Sequence, residues 1–106
     1  DYVKFKEKLW DCNIKKTKPA REICFIKIAF ECANEGQFYI NPNCESNILD
    51  DELLKDGILG YENEGYFITH DIYEEWALEK KIKMEFLRST LFSKNNSRNY
   101  LNYLTA

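Results

Sequence analysis

Residues 57–78 read GILGYENEGYFITHDIYEEWAL, and this stretch decides the fold. Two short apolar runs, Ile58 to Glu62 and Tyr66 to Thr69, flank the polar residues Asn63 to Gly65. This pattern predicts two strands joined as a β-hairpin, with the glycine supplying the positive φ that a tight loop needs. The second run is followed by His70, the only histidine in the chain. We therefore expect a hairpin that leads through His70 into the next element.

A helix is predicted from Asp71 to about Phe92. Apolar residues recur there at helical spacing, and the aromatic ones nearest the hairpin are expected to pack beneath it. The apolar positions are Tyr73, Trp76, Ala77, Met84, Leu87 and Leu91 on one face, with Ile82 and Phe86 beside it. The first turn is acidic and the later turns are basic, which complements the helix dipole, and Asp71 with Glu74 has the spacing of a capping box. After this helix, the polar stretch 93–97 predicts a break, and residues 98–104 predict another short helix.

Two further helices are predicted at the start of the chain. Residues 2–15 place their apolar side chains on a broad helical stripe. Residues 19–35 are apolar nearly all round, which predicts the central buried helix. Pro19 suits the first turn of that helix, and Gly36 can end it by adopting a left-handed conformation.

Shorter elements join these helices to the hairpin. Residues 37–40 predict a short strand, and residues 48–56 predict a short helix that ends at Gly57, with its leucines facing inward. The order of helix, helix, short strand, short helix, hairpin and long helix is that of a winged-helix domain. The predicted fold class is therefore α+β and mostly helical, with a β-hairpin wing and a long C-terminal helix.

The length and composition indicate one domain of ordinary globular kind. The chain has 106 residues, a formal net charge of -3 and a pI near 5.2, whereas a nucleic-acid footprint normally needs a basic excess. No apolar run approaches the roughly 20 residues that cross a bilayer, and no signal peptide is evident. We therefore expect a cytoplasmic protein without a membrane or nucleic-acid partner. The first residue is Asp rather than Met, which indicates a processed product or, as we expect, an excised fragment.

The boundaries of the predicted units follow from these patterns. Residues 1–18 form an N-terminal helix and linker, residues 19–92 form the winged-helix domain, and residues 93–106 form a C-terminal loop and short helix. The chain also has four cysteines, Cys12, Cys24, Cys32 and Cys44, whose spacing is not that of a zinc site. We interpret them as buried free thiols rather than as two disulfides, and we expect no metal.

The segment Tyr66 to Trp76, YFITHDIYEEW, resembles the junction in the winged-helix domain of STAND-class P-loop NTPases, which include the NACHT and NB-ARC proteins. In those families the second wing strand ends in a Met-His-Asp type motif that leads into a helix. The matching residues here are Thr69, His70 and Asp71, with Thr69 departing from the usual Met. The upstream segment 53–59, LLKDGIL, is also similar to the passage from helix to wing in such domains.

The resemblance implies a role for the junction. In the family the histidine contacts the β-phosphate of ADP held by the neighbouring nucleotide-binding domain and keeps the protein closed. Carried onto this chain, His70 would contact the phosphate, and Asp71 would fix the helix start. The implied cofactor is ADP or ATP bound by that adjacent domain, with none bound by this chain alone. No GxxxxGK[ST] phosphate loop is present, so we expect no enzymatic activity and no catalytic residue in the chain itself.

Three alternatives stay open from the residues alone. His70 could be an ordinary surface or packing residue, with Asp71 a simple helix cap. The domain could bind DNA as many winged helices do, although its recognition helix, residues 47–56, is rich in acids. It could also be a protein-interaction module that uses the wing or the long helix.

Overall fold

Helices dominate the architecture, and a single β-hairpin lies between them. The computed structural model describes the backbone of residues 1–105 and the side chains of residues 1–90. The elements are α1 (Tyr2–Trp10), a π-helical extension of it (Asp11–Lys15), α2 (Pro19–Glu35), a second π-helical segment (Asn47–Leu54), β1 (Leu59–Glu62), β2 (Gly65–Ile68) and α3 (Asp71–Thr105). This confirms a mixed α+β, mostly helical chain with a hairpin and a long helix.

The first predicted helix is present, but it changes its winding before it ends. The Asp1 carboxylate accepts a hydrogen bond from the Val3 amide at 3.0 Å and caps α1. The chain then widens, and the Lys16 amide donates to the Asp11 carbonyl at 2.8 Å, five residues back. Lys16 and Thr17 both have positive φ, at 47° and 60°, so the backbone reverses there and leads into α2.

Helix α2 has the predicted bounds, and it is buried on one side only. Pro19 lies in its first turn, and Gly36 ends it with φ at 64°, as predicted. Phe25, Ile28 and Ala29 are fully buried and form the centre of the core. The helix forms the centre of the core as predicted, but Ile23 and Phe30 on its other side are 63% and 44% exposed.

The predicted hairpin is present, but its turn has two residues rather than three, and different residues supply the positive φ. Strands β1 and β2 pair antiparallel, with Leu59 opposite Ile68 and Glu62 opposite Gly65. The left-handed residues of the turn are Asn63 and Glu64, at 51° and 60°, which matches the backbone of a two-residue hairpin turn. Gly65 instead lies inside β2, so the role predicted for it was wrong.

Gly65 permits a close approach between the hairpin and the preceding loop. A Cβ placed on Gly65 would lie 3.0 Å from the Tyr39 Cβ and 3.3 Å from the Ile40 amide nitrogen. The strand predicted for residues 37–40 is reduced to one bridge, in which Ile40 and Tyr66 exchange two backbone hydrogen bonds of 2.9 and 2.8 Å. One reason is that the Gln37 amide donates to the Cys32 carbonyl in the cap of α2 instead of to a strand.

The segment Asn47–Leu54 replaces the α-helix predicted at residues 48–56. Its apolar side is buried through Ile48, Leu49 and Leu53, whereas Leu54 is only half-buried. Gly57 follows with φ at 78°, so the turn into β1 uses the left-handed conformation that glycine accepts without strain. The segment therefore packs as predicted, with a wider winding and a slightly earlier end.

A buried arginine that the sequence pattern did not indicate ties these segments together. Arg21 is 1% exposed and donates from Nε to the Ile14 carbonyl at 2.9 Å and from Nη2 to the Asn13 carbonyl at 3.0 Å. Its Nη1 lies 3.4 Å from a Glu52 carboxylate oxygen and 3.0 Å from an Asp56 carboxylate oxygen. The guanidinium thus links the end of the first helix, α2 and the second π-helical segment.

Helix α3 is longer than predicted. Its backbone continues through Ser93 to Ser97 as far as Thr105, so the predicted break was wrong. A physical reason is that residues 71–105 contain neither glycine nor proline, and polar residues alone do not terminate a helix.

Among the side chains of α3 that the structure describes, those that enter the core lie in its first turns. Trp76 and Ala77 are buried, but Ile82 and Phe86 are 69% and 67% exposed. Leu91, which was also assigned to the apolar face, lies outside the described side chains. Trp10 and Ile14 belong to the same core cluster as the buried residues of α2, so the first helix and its extension pack with the rest of the chain. The domain boundaries at residues 18 and 92 stay a prediction.

Candidate functional site

Thr69 closes the open end of the hairpin just before the candidate residues. Its amide donates to the Ile58 carbonyl at 3.2 Å. Its hydroxyl lies 2.7 Å from the Gly57 carbonyl oxygen and 2.9 Å from that of Ile58, and it donates its single proton to one of them at a time. The chain that leaves β2 is therefore fastened to the chain that enters β1, which fixes where the next residue starts.

His70 occupies the N-cap position of α3, and its side chain is exposed. Its carbonyl accepts the amide of Tyr73 at 3.1 Å and that of Glu74 at 3.4 Å, which are the first hydrogen bonds of the helix. The imidazole meets the Tyr73 ring edge-on, with centroids 5.8 Å apart and an interplanar angle of 84°. The ring is thus supported on one edge while its remaining surface faces outward.

The support beneath His70 continues into the core. The Tyr73 ring packs edge-on against Trp76 at 5.7 Å, and Trp76 is only 5% exposed. On α1, the Lys6 ammonium lies 5.4 Å from the centre of the Trp76 ring, and it also pairs with Glu79. These contacts anchor the first turns of α3, so they set the position of the exposed imidazole relative to the wing.

Asp71 is the first residue of α3 and is exposed. The capping box predicted for Asp71 and Glu74 does not match the hydrogen bonds formed, because the Glu74 amide donates to the His70 carbonyl. The physical reason is that the helix begins one residue earlier than a cap at Asp71 requires. Asp71 remains favourable in this first turn because its negative charge faces the positive end of the helix dipole.

The charge around the junction is negative. Burial raises the pKa of the Glu74 carboxyl above its ordinary value, and the nearby Asp71 carboxylate raises it further. Glu75 adds an exposed carboxyl in the same turn. A free anion approaching this helix terminus would meet those charges, so the junction is suited to donate a single hydrogen bond to a group that another surface holds in place.

Several acidic residues in and after the second π-helical segment accept hydrogen bonds from neighbouring side chains. Hydrogen bonding from Lys18, then Arg21, lowers the pKa of Glu52, and Lys16 followed by Arg21 lowers that of Asp56. Asp50 accepts a hydrogen bond from the Tyr66 hydroxyl. Carboxylates therefore occupy the surface where a DNA-binding winged helix would present its recognition residues.

Metal binding and membrane crossing would each require a recognisable feature of the described residues. Within residues 1–90, where side chains are described, no three metal-ligating side chains come together. None of the helices in the described part of the chain is both long enough and apolar enough to cross a membrane. Apolar cavities of about 420 and 280 Å³ lie away from His70, where α2 and α3 meet around Phe30 and Lys81.

The apolar face where α2 and α3 meet around Phe30 was assigned to the core from its helical spacing, so its exposure was not predicted.

Comparisons with models of known protein families and with curated protein sequences find no match for this chain. The site consequently has to be interpreted from its own geometry and chemistry.

Proposed function

We propose that this chain is the regulatory winged-helix module of a larger cytoplasmic switch protein, a STAND-type ATPase. In this role it senses ADP bound in an adjacent nucleotide-binding domain and couples the nucleotide state to activation. The observation that carries the proposal is the exposed imidazole of His70, held at the point where the hairpin ends and α3 begins. Support also comes from the resemblance of residues 66–76 to the corresponding junction of that class.

The mechanism is a contact made in one state and lost in the other. The His70 ring N–H donates to the β-phosphate of ADP, which favours the closed arrangement of the two domains. Because Thr69 fixes the chain before His70 and Trp76 anchors the helix after it, the donor moves with the module as a rigid unit. Loss of the contact on nucleotide exchange releases the module to rotate.

The acidic first turn of α3 determines which domain binds the nucleotide. Asp71, Glu74 and Glu75 disfavour an anion that is not already bound elsewhere. We therefore assign no nucleotide to this chain alone, and no catalysis, since it supplies one donor and lacks a phosphate loop. Asp71 acts by favouring the helix start that presents His70.

The DNA-binding alternative is disfavoured by the surface charge. The segment that would enter the major groove carries Asp50, Asp51 and Glu52, and hydrogen bonds hold the pKa of Glu52 below its ordinary value. Phosphate would be repelled there rather than attracted. Tight duplex binding at low salt would reverse this ranking.

The test is ADP release from the parent protein carrying His70→Ala. A hydrogen bond to a charged group contributes about 1.5–3 kcal/mol, so release should accelerate by tenfold or more. Lys4→Ala removes an exposed side chain of α1 outside the junction and is the control, with an expected change below twofold. An unchanged release rate in His70→Ala would reject the assignment.

A protein-docking role is compatible with this switch, and one observation favours it. Ile82 and Phe86 on α3 are 69% and 67% exposed and continue the apolar face that begins at Phe30 of α2. Such a continuous apolar surface is typical of a contact site. If the neighbouring domain of the parent protein covers it, residues 82–87 should gain protection from hydrogen exchange in the assembled protein; equal exchange with and without that domain would exclude this use.

A further inference from the structure

Two cysteines from different segments meet at one cavity on the α2 surface. Cys24 lies on α2, and Cys44 lies in the loop before the second π-helical segment. Both line an open cavity of about 340 Å³ together with Ala20, Ile23 and Lys27. Both are free thiols. Their sequence separation gave no sign of this meeting, because it depends on how the loop returns to the helix.

Hydrogen bonds hold the loop that carries Cys44 beside α2. Lys27, one turn beyond Cys24 on α2, donates from Nζ to the Asn43 carbonyl at 2.7 Å, next to Cys44. The Cys44 amide donates to the Pro42 carbonyl at 3.0 Å, which tightens the loop at this point. Burial raises the pKa of the Cys24 thiol, and hydrogen bonding of that thiol to Cys44 raises it further. The side chains of Cys24 and Cys44 therefore lie at the same cavity, and Cys44 is close enough to affect the Cys24 thiol.

We infer that Cys24 and Cys44 form a reversible oxidation site, at which a hydroperoxide converts the two thiols into a disulfide. Exposure assigns the order of events, since Cys44 is half-buried and Cys24 is 6% exposed. The Cys44 thiolate attacks the peroxide, the O–O bond breaks, an alcohol or water leaves, and Cys44 becomes a sulfenic acid. The Cys24 sulfur then attacks the Cys44 sulfur, and the Cys24 proton leaves with the hydroxyl group as water.

The balance is that two thiols and one hydroperoxide give one disulfide, one alcohol and one water. The sulfurs lose two electrons, which the peroxide oxygens gain. A thiol reductant restores the starting state by exchange. The new bond would fasten the loop to α2 and so stiffen the approach to the segment Asn47–Leu54.

The test is treatment of the folded, reduced chain with one equivalent of hydrogen peroxide, followed by alkylation and peptide mapping without reduction. Trypsin leaves Cys32 and Cys44 in one peptide, so a second protease that cleaves after Glu is needed to separate them at Glu35. The expected product is a linked pair containing Cys24 and Cys44, with a mass lower by two hydrogen atoms. A link through Cys12 or Cys32, or overoxidation of Cys44 without a link, would overturn the inference.

Stability provides a second measurement. The disulfide closes a loop of about 20 residues, so oxidation should raise the Tm by on the order of 10 °C, and reductant should reverse the rise. Cys44→Ser should abolish the gain. Cys32→Ser is the matched control, because Cys32 is equally buried on the same helix but its thiol lies toward the Phe38 carbonyl. A rise in Tm on oxidation that persists in Cys44→Ser would contradict the assignment. The lack of any such rise in the original chain would contradict it as well.

Discussion

Replacing the buried Arg21 with methionine should destabilise the fold by about 3 kcal/mol. The substitution keeps much of the aliphatic volume and removes the guanidinium that serves the Ile14 and Asn13 carbonyls and the carboxylates of Glu52 and Asp56. Each buried carbonyl left without a donor costs about 1–3 kcal/mol. The carboxylates add little, because they are partly exposed and keep their lysine partners, and losing a buried charge recovers some desolvation energy.

Urea unfolding at pH 7, followed by tryptophan fluorescence, measures this cost directly. A loss of about 3 kcal/mol in a domain of this size corresponds to a Tm lower by roughly 12 °C. Lys18→Met is the matched control, since Lys18 also pairs with Glu52, at 3.0 Å, but its side chain is 60% exposed. That control should cost less than about 1 kcal/mol. Equal losses in the two variants would refute the view that burial makes Arg21 important.

Three further predictions concern stability. The fold lowers the pKa values of Glu52 and Asp56, so their contribution to the free energy of unfolding is complete above the ordinary values of 4.5 and 3.8 and is lost as the pH falls through the lowered values. Urea titrations at pH 7, 5 and 3 should show this loss of stability, and a flat profile would oppose it. The hydrogen bond to Asp50, with burial, raises the pKa of Tyr66 to about 12, so the contribution of Tyr66 to stability is complete below pH 10 and is lost as the pH rises through 12. An ultraviolet titration should lack this late step in Tyr66→Phe. The same variant should lower the free energy of unfolding at pH 7 by about 1 kcal/mol. Gly65→Ala should cost about 1–3 kcal/mol in chemical denaturation, because its Cβ would lie 3.0 Å from the nearest side-chain atom, and a neutral change would show that the loop yields.

Local patterns predicted those parts of the fold in which a few neighbouring residues decide the outcome. Pro19 and Gly36 mark the ends of α2, and the alternation around the turn indicates the hairpin. The turn conformation was assigned to Gly65 because glycine most readily accepts positive φ, whereas Asn63 and Glu64 adopt it. The pairing of Leu59 with Ile68 fixes which residues lie at the turn, and that requirement overrides the local preference.

Features that depend on how distant segments meet could not be predicted from local patterns. An arginine is ordinarily a surface residue, and the burial of Arg21 follows from carbonyls and carboxylates that other segments bring to it. The exposure of Ile82 on α3 likewise depends on where the other helices end, since helical spacing alone cannot distinguish a core face from an uncovered one. For the candidate site, the sequence placed His70 after the wing, but the edge-on contact with Tyr73 needed the three-dimensional arrangement.

The contact between His70 and the β-phosphate of ADP is the central claim, and the imidazole nitrogen signals test it most directly. His70 is the only histidine, so labelling histidine in this chain gives one unambiguous pair of ¹⁵N resonances. The measurement adds the adjacent nucleotide-binding domain of the parent protein loaded with ADP, and separately with AMP, which lacks the β-phosphate. We predict that the His70 resonances shift with the ADP-loaded domain and not with the AMP-loaded one. Identical His70 spectra in both samples, with binding of the two domains confirmed independently, would contradict the account.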